Sequence, residues 1–264
     1  MSQKIAIIGG GNLGVAMAEG LTESSFSRPS DITVTRRTVA ALAPLAEKGF
    51  AVTASNVDAV KSSSIVILAV KPFQVKDVLT EISGVLEARH ILISVVTGVL
   101  IKDMQEITGK LMPVFRAMPN TAIAIRQSIT CLSYANAKPD QVQFVNDLFC
   151  TVGKVVMIDE KLMDAATILG ACGTAYAMRY IRANIQGGIE IGFDAATARL
   201  IAAQTVKGAA ELLLQRNTHP EHEIDKVTTP RGCTIAGLNE MEHQGFSSSL
   251  IKGIIASYVK IAKD

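Results

Sequence analysis

The stretch KIAIIGGGNLG, residues 4–14, decides the fold of this 264-residue chain. Its first half is almost continuously apolar, which predicts a buried β-strand, and a glycine-rich turn follows at once. The next residues, Val15–Leu21, have the spacing and composition of a helix. A strand, a G-x-G-x-x-G turn at Gly9, Gly11 and Gly14, and a helix, in this order, are typical of a dinucleotide-binding unit.

Each of the three glycines has its own expected role. Gly9 permits the tight turn, Gly11 lets a pyrophosphate approach bare backbone, and Gly14 lets helix and strand pack closely. The helix N-terminus adds unpaired N–H groups and the positive end of its dipole. A simple tight turn without a ligand is the alternative interpretation. The position of the motif, the strand before it and the helix after it together favour the binding site.

The residues after the second predicted strand indicate which dinucleotide fits. Ile32–Thr35 has the pattern of a strand, and Arg36 and Arg37 follow it, about 20 residues after the glycine turn. Sites for NAD carry an Asp or Glu at this distance, where it binds the ribose 2′-OH. Two guanidinium groups instead suit a 2′-phosphate, since arginine binds phosphate in a bidentate fork. We therefore expect NADP(H) as the cofactor, with a solvated surface pair as the alternative.

The composition narrows the class of protein. Hydrophobic residues make up 48% of the chain and charged residues 19%, which indicates a well-buried globular protein. The net charge is +2 and no long basic run occurs, so nucleic acid is not an expected partner. The longest strongly apolar run, Ile65–Val70, is far too short to span a membrane. No signal-peptide pattern precedes the first strand, so we expect a cytoplasmic protein.

The cysteines and histidines predict no metal site. His219 and His222 are spaced i, i+3, but the sequence offers no third ligand nearby, so we expect both at the surface. The cysteines are scattered without a C-x-x-C pattern, which favours reduced thiols in or near the core. They are Cys131, Cys150, Cys172 and Cys233.

Strands and helices alternate through residue 158. This alternation predicts a doubly wound parallel sheet, and the apolar strands indicate that helices cover both of its faces. From Glu160 onwards every convincing segment has a helical pattern. The expected fold class is α/β, with a Rossmann-type NADP-binding domain over residues 1–159 and an all-helical domain over residues 160–264. Strands are predicted at 5–8, 32–35, 51–53, 64–70, 90–96, from 113, at 128–133 and at 152–158, and helices at 15–21, 39–48, 73–86, 100–107, 139–150, 162–168, 176–191, 195–215 and 247–262.

The predicted helix 195–215 is apolar on more than one face. Its apolar residues include Leu200, Ile201, Leu212 and Leu214. A helix that is apolar nearly all round must be buried, and a domain of this size has few residues with which to surround it. We infer a broad or intertwined homodimer interface, with an ordinary helical core as the alternative.

Other segments lie where ligands bind in such folds. Ligands of open α/β sheets bind beyond the carboxyl ends of the strands, so Val70, Lys71 and Pro72 are expected to line the cofactor site. Asn56 either caps a helix or reaches toward the adenosine ribose. The loop at residues 227–235 leads into a helix that is predicted to start at Thr234 or just after. Its exposed N–H groups could hold a carboxylate, although the residues alone favour a plain capped turn.

Several short motifs, spread over the whole chain, occur in a family-specific order. The glycine turn is similar to the motif G-x-G-N-M-[GA]. The sequence VKP at 70–72 is similar to A-V-K-P, and the sequence RAMPNT at 116–121 is similar to R-x-M-P-N-T. Two later stretches, HP at 219–220 and TPRGCTI at 229–235, are similar to H-P followed by S-P-G-G-T-T-I. The stretch EHQGF at 242–246 is similar to the closing motif L-E-x-x-G-F. Together these motifs resemble the pyrroline-5-carboxylate reductase family.

The resemblance implies both an architecture and an activity. It implies a Rossmann domain followed by a helical dimerisation and substrate-binding domain, in a cytoplasmic homodimer that is often assembled further. The implied reaction is reduction of L-1-pyrroline-5-carboxylate to L-proline with NADPH or NADH, the last step of proline biosynthesis. Hydride adds to a C=N bond whose nitrogen is readily protonated, so the site must mainly orient the two rings and exclude water.

The resemblance also assigns site residues by motif. It implies that Gly11, Asn12 and Leu13 hold the pyrophosphate, beside Gly9 and Gly14 of the same turn. It implies that Arg36 and Arg37 bind the 2′-phosphate and that Asn56 lies near the ribose. It also implies that Val70, Lys71 and Pro72 line the cofactor. Met118 and Asn120 would flank the nicotinamide. The substrate carboxylate would be held by Thr229, Gly232, Cys233 and Thr234. The Thr234 hydroxyl, near the ring nitrogen, would be the proton donor or orienting group.

Two departures from the family motifs bear on the substrate. ACGTAY at 171–176 stands where the family has G-S-G-P-A-Y, and Arg231 stands where it usually has glycine. They leave open an NADP-dependent reductase of another cyclic imine. A non-catalytic NADP(H)-sensing dimer is a further alternative, but a sensor has no need of the carboxylate-binding loop at 229–235.

Overall fold

The computed structural model describes residues 3–109 and 111–261. They form two compact units, one comprising the chain up to Cys172 and the other Gly173–Lys260. The first unit contains a mostly parallel sheet with helices on both faces, and the second is entirely helical. This confirms the predicted Rossmann-type sheet followed by a helical region.

The elements of the first unit alternate as expected. Its strands are β1 (Ile5–Ile8), β2 (Ile32–Thr35), β3 (Ala51–Thr53), β4 (Ile65–Leu68), β5 (Ile91–Ser94), β6 (Val114–Met118), β7 (Ser128–Ala135) and β8 (Gly153–Met157). Its α-helices are α1 (Asn12–Glu23), α2 (Ala43–Glu47), α3 (Asn56–Lys61), α4 (Val75–Ser83), α5 (Ile101–Thr108), α6 (Pro139–Cys150) and α7 (Met163–Ala166). The helix predicted over 39–48 is divided, because a 3₁₀ turn at Val39–Leu42 precedes α2.

The sheet order is β3-β2-β1-β4-β5-β6-β7-β8. Its first six strands follow the order of a dinucleotide-binding sheet and are parallel. β7 departs from the predicted parallel arrangement, since it runs antiparallel to β6, with Arg116 opposite Ser133. Only residues 119–127 join the two strands, and a parallel crossover needs about a dozen residues or more. A short 3₁₀ turn at Thr121–Ile125 therefore reverses the chain.

Apolar side chains pack on both faces of the sheet. Ile5 and Ile7 of β1 belong to a cluster with α1 and α6, whereas Ala6 and Ile8 belong to a cluster with α3, α4 and α5. All four side chains are at most 1% exposed. Strands without a solvated face explain why the sequence has continuous apolar runs here instead of alternation. The core thus positions the loops at both ends of the strands.

The segment from Glu160 to Cys172 belongs to the first unit. It contains α7 and a π-helical turn at Thr167–Cys172, where one longer helix over 162–168 is predicted. Met163 and Ile168 of this segment are buried. The compact units therefore divide after Cys172, because this segment packs with the sheet.

The second unit contains five α-helices among its described residues. They are α8 (Gly173–Glu190), α9 (Ala195–Arg216), α10 (Pro220–Lys226), α11 (Cys233–His243) and α12 (Phe246–Ile261). The short α10 is absent from the sequence prediction, and α11 begins at Cys233, one residue before the helix start predicted at Thr234. Ala262, the predicted end of the last helix, lies outside the described residues. Asp194 caps α9, and the hydrogen bonds from Thr197 hold the pKa of its carboxyl below the usual value.

The second unit exposes much apolar surface. Leu200, Ile201, Leu212 and Leu214 of α9, which the sequence analysis assigned to an interface, are exposed in the single chain. Exposure of such a surface marks an interaction site in a soluble protein. Across the part of the chain that the structure describes, we find no helix with the length and apolar character to cross a membrane.

The cysteines are free thiols, as predicted, but the expected position in or near the core is wrong for two of them. Cys131 and Cys172 are partly buried, and Cys150 and Cys233 are exposed. Burial raises the pKa of the Cys131 thiol, which favours its protonated form.

Candidate functional site

A cavity of about 950 Å³ lies at the carboxyl ends of the parallel strands. Such a volume is within the usual range of small-molecule sites, and this edge is where open α/β sheets bind ligands. Loops after β1, β2, β4 and β5 contribute to its wall, as does the turn between β6 and β7. The lining residues are Gly9 to Leu13, Ala16, Thr35 to Thr38, Ala54, Asn56, Ala69 to Pro72, Gln74, Val78, Val95 to Thr97, Thr121, Ile123 and Ala124.

The glycine turn between β1 and α1 presents bare backbone to this cavity. Gly9 has a φ of +113°, which favours glycine. A Cβ on Gly14 would lie 2.2 Å from the Gly9 carbonyl oxygen, whereas a Cβ on Gly11 would meet no heavy atom within 4 Å. Gly11 caps α1 without a side-chain hydrogen bond. The first turn of α1 therefore offers N–H groups to an anion in the open space above Gly11.

A hydrogen-bond network ties the glycine turn to β2 and α3. The Gly9 N–H donates to Thr35 Oγ1 at 3.3 Å, and the Thr35 hydroxyl donates to Asn56 Oδ1 at 2.7 Å. Asn56 Nδ2 donates to Glu81 Oε2 of α4 at 2.9 Å. Both ends of the Asn56 amide are therefore engaged, which sets its orientation at the cavity wall. Ser55, not Asn56, caps α3, through its hydrogen bond from the Asp58 N–H.

Two arginines stand at the β2 end of the cavity. Arg36 Nη1 donates to the Gly10 carbonyl oxygen at 3.1 Å, so this side chain also braces the glycine turn. Arg37 is exposed and lines the same wall. Because β2, β1, β4 and β5 are adjacent in this order, the arginines lie at one end of the cavity and Val95–Thr97 at the other.

The cavity fits a dinucleotide that carries a 2′-phosphate. Uncapped N–H groups and the open space over Gly11 suit a pyrophosphate. The guanidinium groups of Arg36 and Arg37 suit a further phosphate at the adenosine end. The opposite end would then receive the nicotinamide. Among the described residues that line the β2 end, none is the Asp or Glu that binds the ribose in an NAD site.

The structure brings most of the predicted cofactor residues together. Gly14 lies outside the lining, packed beneath Gly9, and Met118 lies in β6 with 6% of its surface exposed. Asn120 is also outside the lining, because its Oδ1 accepts the Ala122 N–H and its Nδ2 donates to the Gly170 carbonyl. The predicted residues that line the cavity are Gly9, Gly11, Asn12, Leu13, Arg36, Arg37, Asn56, Val70, Lys71 and Pro72.

Several residues that line the cavity were not predicted as cofactor residues. Thr35 is the last residue of β2, and Thr97 follows β5 closely. The rule that places ligands beyond strand ends, which identified Val70 to Pro72, applies to these hydroxyls equally. Gly10 was also missed, and a Cβ there would lie 2.6 Å from Leu42 Cδ2. Nothing in the local sequence signals that contact.

The loop expected to hold a carboxylate belongs to the second unit. Gly232 caps α11 without a side-chain hydrogen bond, and its N–H donates to the Thr229 carbonyl at 2.9 Å. Arg231 has a φ of +61°, a left-handed conformation for which the family's usual glycine is better suited. Cys233 begins α11 and Thr234 follows it, half-buried. The loop thus presents the uncapped N-terminus of an 11-residue helix.

Two separate segments of the chain match family models. One model, described as pyrroline-5-carboxylate reductase dimerisation, covers residues 160–263. Another, described as NADP oxidoreductase coenzyme F420-dependent, covers residues 4–98.

Curated relatives extend this similarity over the whole chain. Pyrroline-5-carboxylate reductase 1 of Dictyostelium discoideum is 47% identical over 98% of the chain, which spans about half (49%) of that relative. Pyrroline-5-carboxylate reductase 2 of the same organism is 42% identical over 99% of the chain and 93% of the relative.

Solved structures of similarly named proteins are also similar to this chain over nearly its whole length. A pyrroline-5-carboxylate reductase of Coxiella burnetii has a TM-score of 0.91 at 28% identity and covers 100% of this chain and 98% of its own. A Plasmodium falciparum pyrroline carboxylate reductase with NADP bound has a TM-score of 0.88 at 25% identity, with 98% and 97% coverage.

Proposed function

The chain belongs to the pyrroline-5-carboxylate reductase family and is an NAD(P)H-dependent oxidoreductase, and we propose that it reduces L-1-pyrroline-5-carboxylate to L-proline, the last step of proline biosynthesis. NADPH is its cofactor. The observation that carries this proposal is the cavity itself, which combines a bare glycine turn with an arginine pair at one end. The full-length similarity to named reductases supports the substrate.

The residues around the cavity hold the cofactor in a fixed direction. The backbone N–H groups at Gly11, Asn12 and Leu13 bind the pyrophosphate. Arg36 and Arg37 bind the 2′-phosphate.

The remaining wall residues orient the two ends of the cofactor. Asn56, oriented by Thr35 and Glu81, lies beside the adenosine ribose. The wall at Val70, Lys71 and Pro72 continues toward the far end. NADPH supplies the hydride when it is bound there.

Met118 and Asn120 support the nicotinamide end from behind the wall. The Asn120 amide caps the turn at Thr121–Ile125, whose residues Thr121 and Ile123 line the cavity. Met118 packs in β6 directly before this turn. Both residues therefore act by setting the position of the turn.

The helical loop contributes the substrate's binding groups. Thr229 and the backbone N–H groups at Cys233 and Thr234 hold the carboxylate, and the Thr234 hydroxyl donates or orients the proton at the ring nitrogen. The predicted N–H contact from Gly232 is corrected, because this N–H donates to the Thr229 carbonyl oxygen. Gly232 contributes by lacking a Cβ, which would lie 2.5 Å from Thr229 Oγ1. An anion at an uncapped helix N-terminus is stabilised by the N–H groups and by the dipole, which supports this assignment.

Replacing Thr234 with alanine is expected to lower kcat by roughly a hundredfold, the usual contribution of a positioned proton donor. NADPH binding should be unchanged, because the cofactor cavity is lined by residues of the first unit. Thr234→Ser, which keeps the hydroxyl, is the matched control and should recover most of kcat. Full activity of Thr234→Ala in a steady-state assay would exclude this role.

The activity itself is tested by following NADPH absorbance with and without L-1-pyrroline-5-carboxylate. Oxidation that depends on this imine, with L-proline as product, is the expected result. Faster oxidation with a six-membered cyclic imine or with pyrroline-2-carboxylate would assign another substrate. Tight NADPH binding without oxidation of any cyclic imine would indicate the sensor.

We also propose an assembly and a location. Residues 1–159 form the cofactor domain and residues 160–264 the dimerisation and substrate-binding domain of a cytoplasmic homodimer, which assembles further into an oligomer of dimers. The match of residues 160–263 to the dimerisation model supports the homodimer, as does the exposed apolar surface of α9. Light scattering coupled to gel filtration measures both levels of assembly.

A further inference from the structure

Arg116 places a buried charge in the centre of the sheet. Its side chain is 2% exposed, and in the register of the sheet it lies between Ser94 of β5 and Ser133 of β7. Nη1 donates to Glu160 Oε1 at 3.0 Å, and Nη2 lies 3.9 Å from Asp164 Oδ1. Among the described residues, Nε and Nη2 have no hydrogen-bond partner. Within residues 3–109 and 111–261, Glu160 therefore provides the one hydrogen bond that holds this guanidinium.

The same carboxylate oxygen also caps a helix. Glu160 Oε1 accepts the N–H of Ile101, the first residue of α5, at 2.8 Å. The first N–H groups of a helix have no partner within it, so an acidic side chain there stabilises the helix start and sets its position. Glu160 thus joins β6 to the N-terminus of α5. We name Arg116, Glu160 and the Ile101 N–H the arginine–carboxylate clamp.

The clamp lies at the base of two wall segments of the cavity. The loop between β5 and α5 ends at Leu100, directly before Ile101, and its residues Val95–Thr97 line the cavity. β6, which carries Arg116, leads into the turn that contributes Thr121 and Ile123 to the same end. This end is opposite Arg36 and Arg37, and is therefore the nicotinamide end. A shift of Glu160 would release the start of α5 and the loop before it.

We propose that Arg116 and Glu160 are positioning residues that hold the nicotinamide end of the cavity in its reactive geometry. This inference rests on the proposed function, which assigns the cavity to NADPH. Neither side chain lines the cavity. They act through α5 and the loop at residues 95–100, and a small displacement there moves the surface on which the nicotinamide ring must lie.

The test compares two ligands that differ in the nicotinamide half. Glu160→Ala and Glu160→Gln are titrated with NADPH and with adenosine 2′,5′-bisphosphate, which occupies only the arginine end. Glu160→Ala is expected to raise the Kd of NADPH about tenfold and to leave that of the bisphosphate within about twofold. Its kcat should fall roughly a hundredfold, as misplacement by about an ångström does elsewhere. Glu160→Gln keeps an acceptor for the Ile101 N–H and should lie between wild type and alanine.

Glu106→Ala is the matched control, since Glu106 lies on α5, the helix whose first N–H Glu160 accepts, and is exposed, with an ion pair to the exposed Lys102. It should bind both ligands as wild type does. If Glu160→Ala does not fold, as judged by circular dichroism, Glu160→Gln decides the question. Equal weakening of both ligands, or wild-type binding and kcat in both Glu160 variants, would overturn the clamp while leaving the function intact. Failure of the wild-type protein to bind NADPH would overturn the proposed function and the clamp together.

Discussion

Replacing both Arg36 and Arg37 with alanine is expected to weaken NADPH binding by roughly 100- to 1,000-fold, and NADH binding by about tenfold or less. A hydrogen bond to a charged group contributes about 1.5–3 kcal/mol, and each tenfold change in Kd corresponds to about 1.4 kcal/mol. Both side chains are exposed, so the lower part of this range applies to each. Fluorescence titration of the two reduced dinucleotides measures both effects.

The single variants should separate the two arginines. Arg37→Ala removes only a phosphate ligand and should affect NADPH alone. Arg36 also donates to the Gly10 carbonyl, so Arg36→Ala loosens the glycine turn and should weaken NADPH and NADH together. The difference between the two dinucleotides should shrink as salt is raised, because exposed charges are screened.

Arg28→Ala is the control for this pair. Arg28 is exposed and lies before β2, at the opposite end of that strand from the cavity. Its removal should leave both Kd values unchanged. Equal loss of NADPH and NADH affinity in Arg37→Ala would show that Arg37 does not recognise the 2′-phosphate.

Replacing Gly14 with alanine is expected to destabilise the protein by about 1–3 kcal/mol and to raise the Kd of NADPH by about tenfold. The added Cβ would lie 2.2 Å from the Gly9 carbonyl oxygen, a backbone atom that moves only if the turn moves. Strand β1 and helix α1 must then separate, and the N–H groups of the turn lose their common direction. Thermal unfolding without ligand, at one protein concentration, and NADPH titration measure the two effects.

Gly11→Ala provides the informative comparison. A Cβ there meets no heavy atom of the chain within 4 Å, and the φ of Gly11 is −85°, so the unfolding temperature should not change. The methyl group would occupy the open space above the turn, and NADPH affinity should fall by at least about tenfold. Gly84→Ala, also in open space but at the end of α4, should change neither quantity. Unchanged NADPH binding in Gly11→Ala would argue against a pyrophosphate at this turn.

The site could be predicted where its chemistry is local in the sequence. The strand, glycine turn and helix at residues 4–21 are contiguous, and Arg36 and Arg37 directly follow a strand. Asn120 shows the limit of this reasoning. Its motif suggests a cofactor contact, but its amide is engaged by Ala122 and Gly170, and a partner 50 residues away leaves no trace in local periodicity.

The direction of β7 shows a second limit. Apolar patterning predicts a strand at 128–133 whether its neighbour is parallel or antiparallel, because the pattern reports burial and not direction. The short connection at residues 119–127 excludes a parallel crossover, but only if β6 and β7 are neighbours in the sheet. The tertiary structure shows that they are neighbours.

By itself, the sequence determined the α/β class, the order of the elements, the glycine turn and the basic end of the cavity, because each depends on neighbours along the chain. The tertiary structure alone decided which hydrogen bonds hold the strands, helices and loops of the site together. The Thr35 hydroxyl donates to Asn56, 21 residues away. Glu160 accepts hydrogen bonds from Arg116, 44 residues away, and from the first N–H of α5, 59 residues away. Such contacts arise when the sheet closes, since burial forces each polar group to find whichever partner the fold brings near.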